Sequence, residues 1–101
     1  MSKKKSIVIH KDDNVATALV DLKSGEVLDE EFQGQKKQIE LKADIPFGHK
    51  FSLSTIDNGS SIVKYGEIIG TATEAIQEGD YVHIHNVKSN RGRGDLEGGE
   101  V

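Results

Sequence analysis

Short runs rich in Ile, Val and Thr, each closed by a turn of Gly, Asp or Asn, leave this chain little to build except a sheet of short strands. Ile7, Val8 and Ile9 mark a strand over residues 6–10, and the polar cluster 11–14 turns the chain. Residues 15–22 mix Ala and Leu, which favour helix, with Val and Thr, which favour strand. Strand is the better reading, because the apolar residues are too dense for one helical stripe and Ser24-Gly25 ends the run abruptly. Residues 26–33 form a second hairpin arm or a connection. Polar/apolar alternation predicts half-exposed strands over 38–42 and 49–53. The turn between them contains Pro46, which biases Ile45 to an extended conformation. Asp57-Asn58-Gly59 is a further turn, and 62–66 and 68–72 are strand-like pieces joined at glycine. The last strand spans residues 78–87 and is reached through Gly79.

About seven short strands and no convincing long helix give a mainly β fold. The glycines inside and between the runs suggest a bent, clip-like or barrel-like shape. Ile45-x-x-Gly48 and Ile76-x-x-Gly79 echo one another, each glycine supplying a positive φ ahead of a strand. Two matched turns or two ordinary hairpin starts explain that echo equally well. Beyond Lys88 the chain becomes glycine-rich and charged, so the expected organisation is a domain over 1–88 and a flexible tail or linker over 89–101.

With 101 residues, 35% of them hydrophobic and no Trp, one small core of Ile, Val and Leu is expected. A net charge of −4 argues against nucleic-acid binding, and the short Lys3-Lys4-Lys5 run reads as a solvated leader. The absence of cysteine excludes disulfides, thiolate metal sites and a Cys nucleophile. No start segment resembles a signal peptide and no run approaches a membrane span, so a cytoplasmic protein is expected.

The chemistry concentrates in the last strand. Alternation sends Val82 and Ile84 towards a core, and Tyr81, His83 and His85 to the other face. His83 and His85, two apart on a strand, would have Cα atoms about 6.7 Å apart. Two leaning imidazoles can share one zinc or ferrous ion, with His49, which follows the first glycine turn, as a candidate third ligand; His10 is harder to place. The same spacing also suits two surface or interface histidines that bind nothing. Arg91 and Arg93 offer guanidinium forks to a carboxylate, whether of an acidic substrate or of a partner. No nucleophile motif, phosphate loop or dinucleotide fingerprint is present. Lys64-Tyr65 is a weak acid–base pair, more ordinarily a packed Tyr beside a solvated Lys.

Three segments carry a resemblance: 44–51 (DIPFGHKF), 62–70 (IVKYGEIIG) and 83–87 (HIHNV). Together they resemble the small N-terminal SAF-type β-clip domain of altronate and galactarate dehydratases, and the small subunit of sulfolactate sulfo-lyase. The match runs from about residue 43 to 86 and is looser before that; the ending at 91–96 is similar to small-subunit members. The resemblance implies a hydro-lyase that dehydrates a sugar acid to a 2-keto-3-deoxy acid. It implies a divalent metal, typically Fe2+, supplied mainly by a large catalytic subunit that is the expected partner. It places His83 and His85 as catalytic residues and metal ligands, and His49, Asn86, Arg91 and Arg93 as substrate-binding residues. Inactivity of the domain alone is expected, and a homo-oligomer is compatible with it. The competing reading is a non-catalytic β-clip module that binds a partner or carbohydrate and regulates assembly.

Overall fold

The computed structural model describes residues 4–89. Among them the chain is all strand and turn, with no helix long and apolar enough to cross a membrane. The elements are β1 (Ser6–Ile7), β2 (Val15–Ala18), β3 (Val27–Phe32), β4 (Gln35–Glu40), β5 (Lys50–Ser52), β6 (Ser61–Lys64), β7 (Glu67–Ala72), β8 (Tyr81–Val82) and β9 (Val87–Ser89). They form a four-stranded antiparallel sheet ordered β1-β2-β5-β8, the hairpin β3-β4, and a three-stranded sheet ordered β6-β7-β9. The mainly β, clip-like fold expected from the glycine turns is the fold observed.

Four β-turns organise these strands, two more than the echo at Gly48 and Gly79. Leu22, Ile45, Ile56 and Ile76 are all nearly inaccessible. Each is followed three residues later by a glycine, at positions 25, 48, 59 and 79, with φ between +86° and +92°. The residue after each glycine donates its N–H back across the turn at 2.9–3.0 Å. A positive φ at the third position defines a type II turn and favours glycine there. The four apolar residues pair through reciprocal backbone bonds, Leu22 with Ile45 and Ile56 with Ile76. Two halves of the same plan result: strand, bridge, turn, hairpin, bridge, turn, strand, with β5 ending the first and starting the second.

Each half has its own core. Leu22, Leu28, Phe32, Ile39, Ile45 and Phe51 are central to the first, while Ile56, Ile62, Ala72, Ile76, Val82 and Val87 build the second. Neighbouring residues of β2 serve both: Ala16 faces the first cluster and Val15 the second. Fully burying one such Ile or Leu contributes about 1.5–3 kcal/mol. β5 is therefore buried on both sides, including Lys50 and Ser52. The half-exposed strand expected there is wrong, because alternation in sequence cannot reveal that a strand is central to the sheet. β1 is also shorter than residues 6–10, since the chain leaves it for a turn closed by the Asp13 N–H on the His10 carbonyl.

Candidate functional site

The continuous strand expected over residues 78–87 is interrupted. β8 stops at Val82, a turn occupies 83–86, and β9 starts at Val87, which is one reason the strands number nine and not seven. Asn86 makes the interruption. Its N–H reaches the His83 carbonyl at 3.1 Å. Its side-chain oxygen accepts the His83 N–H at 3.0 Å, and its amide nitrogen donates to the Tyr81 carbonyl at 2.8 Å. Asn86, expected among the substrate-binding residues, has both ends of its amide engaged in shaping the turn and 2% of its surface exposed. Ile84, expected in the core, is 60% exposed at the turn, because strand alternation does not carry past Val82.

The turn nonetheless gathers the imidazoles. The Tyr81 ring stacks on His83 at 5.4 Å between centroids with planes 5° apart, and meets His85 at 5.5 Å in a tilted contact. The register Phe51↔Tyr81 and Lys50↔Val82 sets His49 opposite His83 one step further on. Their rings lie 4.9 Å apart, and His49 Nδ1 is 2.7 Å from the Tyr81 hydroxyl. His49, His83 and His85 thus surround one tyrosine. His10 stands elsewhere, its Nδ1 accepting the Asp12 N–H and its ring lying against Gly66.

The electrostatics of this cluster are one-sided. Burial holds the His83 pKa below the usual imidazole value, and the cationic forms of His49, Lys50 and His85 push it the same way. Burial likewise lowers Lys50, with Lys64 adding repulsion. Both effects favour the neutral imidazole of His83, the form able to accept a proton. Among the described residues no group of three or more His, Asp or Glu is placed to hold a metal ion. His49 Nδ1 faces the Tyr81 hydroxyl, which leaves Nε2 as the nitrogen of that ring open to another partner. Arg91 and Arg93 lie outside the described residues, as does most of the expected tail over 89–101. A shallow cleft of about 450 Å³ exists, but it lies on the β3–β4 hairpin between Lys4, Glu30 and Lys37, and includes none of the rings.

Altronate/galactarate dehydratase SAF domain is the description of the family that matches residues 4–90. The chain belongs to this family. Altronate dehydratase of Bacillus subtilis (strain 168) is 46% identical over 87 residues, covering 86% of this chain and 17% of that enzyme. Altronate dehydratase of Escherichia coli (strain K12) is 42% identical over 84 residues, covering 83% of this chain and 16% of that enzyme. The (2R)-sulfolactate sulfo-lyase subunit alpha of Chromohalobacter salexigens is 34% identical, covering 83% of this chain and 94% of that subunit. The chain therefore spans about a sixth of the altronate dehydratases but nearly the whole of a subunit in a lyase. Both kinds of relative are named as lyases or dehydratases, which places this SAF domain in a lyase family.

Sequence reasoning missed Tyr81 as the hub and Lys50 as a neighbouring buried cation. Tyr81 was on the right face but carries no motif. Lys50 sits between His49 and Phe51 in an alternating run that reads as a strand with one wet side, so only the pairing of β5 on both edges reveals its burial.

Proposed function

We propose that this SAF domain is the small part of a hydro-lyase that dehydrates a sugar acid of the altronate or galactarate type to a 2-keto-3-deoxy acid. It acts in the cytoplasm with a larger catalytic subunit. The observation that carries this reading is the ring cluster: His83 stacked on Tyr81, itself bonded to His49, on residues that match the family's pattern.

Dehydration of such an acid removes a weakly acidic proton beside a carboxylate and expels a hydroxyl from the neighbouring carbon. A neutral imidazole is the right acceptor for the first step, since only the free base can take the proton. The second step needs a donor, and the candidate is the Tyr81–His49 pair, which carries an O–H or N–H. Arg91 and Arg93 fit a hold on an acidic group. Any divalent ion, Fe2+ by the resemblance, comes mainly from the larger subunit, which would add ligands to those of His83 and His85.

The test is a graft. Residues 4–90 replace the matching segment of the Bacillus subtilis altronate dehydratase, and altronate turnover is measured. Turnover at least tenfold above that of the enzyme lacking the segment is expected. A folded, assembled graft with no such gain contradicts the reading.

A further inference from the structure

We propose that Tyr65, at the tip of the β6–β7 hairpin, is a preformed anchor that seats this domain on the larger catalytic subunit, in a pocket for one aromatic ring. The proposal rests on the subunit reading above, but on different residues.

Tyr65 and Gly66 connect β6 to β7 with φ of 60° and 72°, the two left-handed residues of a type I′ hairpin. That turn favours Asn, Asp and Gly; a tyrosine is strained there. The domain gives little packing in return, since Tyr65 is 58% exposed and its ring is met by the Lys64 ammonium at 4.8 Å. Ile68, on the same hairpin, is 56% exposed.

The tip is nevertheless held rigidly. Asp13 is wholly buried, and its carboxylate accepts the N–H groups of Tyr65 at 3.1 Å, Gly66 at 2.8 Å and His10 at 3.1 Å. Burying a carboxylate is costly unless its hydrogen bonds are filled, and here the tip fills most of them. A Cβ on Gly66 would stand 2.9 Å from the His10 ring, so the tip is also packed close against the 10–13 turn. The first half shows that none of this is required to close such a hairpin. Its tip has the same left-handed pair, Gln33 and Gly34, with a polar side chain and a single backbone bond from Gln33 to the Lys11 carbonyl.

A rigid, exposed, pre-ordered aromatic is the kind of group that dominates protein interfaces, because little entropy is lost when it is buried. The occupant is argued from length. In the altronate dehydratases the matching segment is 16–17% of the protein, so most of such an enzyme lies outside this domain and is available to cover the tip.

Hydroxyl-radical footprinting tests the anchor. The oxidation rate of Tyr65 is compared between the isolated 101-residue chain and the grafted Bacillus subtilis enzyme. At least fivefold slower oxidation in the graft is expected, with a rate in the isolated chain that does not vary with concentration. An equal rate in both overturns the anchor, and so does protection that grows with concentration in the isolated chain, which would assign the tip to a second copy. Tyr65→Asn supplies the second reading. The isolated variant should be as stable as the parent or more so, while the graft carrying it loses at least tenfold in kcat/KM; an unchanged kcat/KM also overturns the anchor. Tyr65 protected in a graft that fails to turn over altronate would sink the dehydratase reading and leave the anchor standing. Turnover with Tyr65 still open would sink the anchor alone.

Discussion

In the first half of the molecule the hairpin β3–β4 has six residues on each arm in unbroken register and closes at Gln33-Gly34; in the second, β6–β7 is shorter on one arm, bulges between Ile62 and Val63, and closes at Tyr65-Gly66. The regular hairpin sends Leu28, Phe32 and Ile39 into its core and exposes charged pairs such as Glu31 and Lys36. The irregular one exposes Tyr65 and Ile68. After it, the chain enters the turn that collects the imidazoles. One plan used twice thus yields a regular hairpin devoted to packing and an irregular one that carries Tyr65 at its tip and leads into the ring cluster. His49, from the end of the first half, joins that cluster only because β5 is shared between the two.

The glycine turns give the sharpest way to break this comparison. Gly48 and Gly79 occupy equivalent positions with the same φ of 86°. A Cβ at Gly48 meets nothing within 4 Å, whereas one at Gly79 would stand 2.1 Å from the Glu40 carbonyl oxygen, against the end of β4. Gly48→Ala should therefore cost about 1 kcal/mol for the left-handed backbone. Gly79→Ala should cost roughly 3 kcal/mol or more, because the backbone of the opposing turn must move as well. Urea denaturation followed by circular dichroism compares them; equal costs would mean that the second turn is not wedged against the first half.

A smaller effect separates the halves by pH. Glu30 on β3 is 5% exposed and accepts a hydrogen bond from the Ser6 hydroxyl, and burial raises its pKa above the usual carboxylate value despite that bond. A carboxyl with a raised folded pKa stabilises the fold fully below its unfolded value, and that contribution is lost as pH rises through the folded value. The stability of the parent relative to Glu30→Gln should accordingly increase as pH is lowered from neutral towards about 4.5. The change should be a fraction of the Gly79 effect. A difference that is flat with pH, or of opposite sign, would remove the first half's buried carboxyl from the account.

Much of the fold was legible because it depends on local chemistry. The glycines fixed where turns fall, and β-branched runs fixed what lies between them. Two of the four matched turns escaped notice: Leu22-Lys23-Ser24-Gly25 and Ile56-Asp57-Asn58-Gly59 have the same outline as the other two, but their polar middles read as ordinary loop. Long-range facts were not legible. Lys50 is buried because β5 lies between β2 and β8, and Asp13 is buried because a hairpin fifty residues later closes over it. At the site, strand alternation put His83 and His85 on the same side as Tyr81, yet it is a turn that brings both rings against the tyrosine. The signal for that turn was Asn86, a residue whose short amide readily bonds its own backbone.

The most direct measurement is kcat of the grafted altronate dehydratase with His83→Ala. Turnover should fall more than tenfold, over about 1.4 kcal/mol of barrier, with KM changed much less. An unaltered kcat, with only assembly or substrate affinity affected, would contradict a chemical role for the ring cluster and make this domain a binding module.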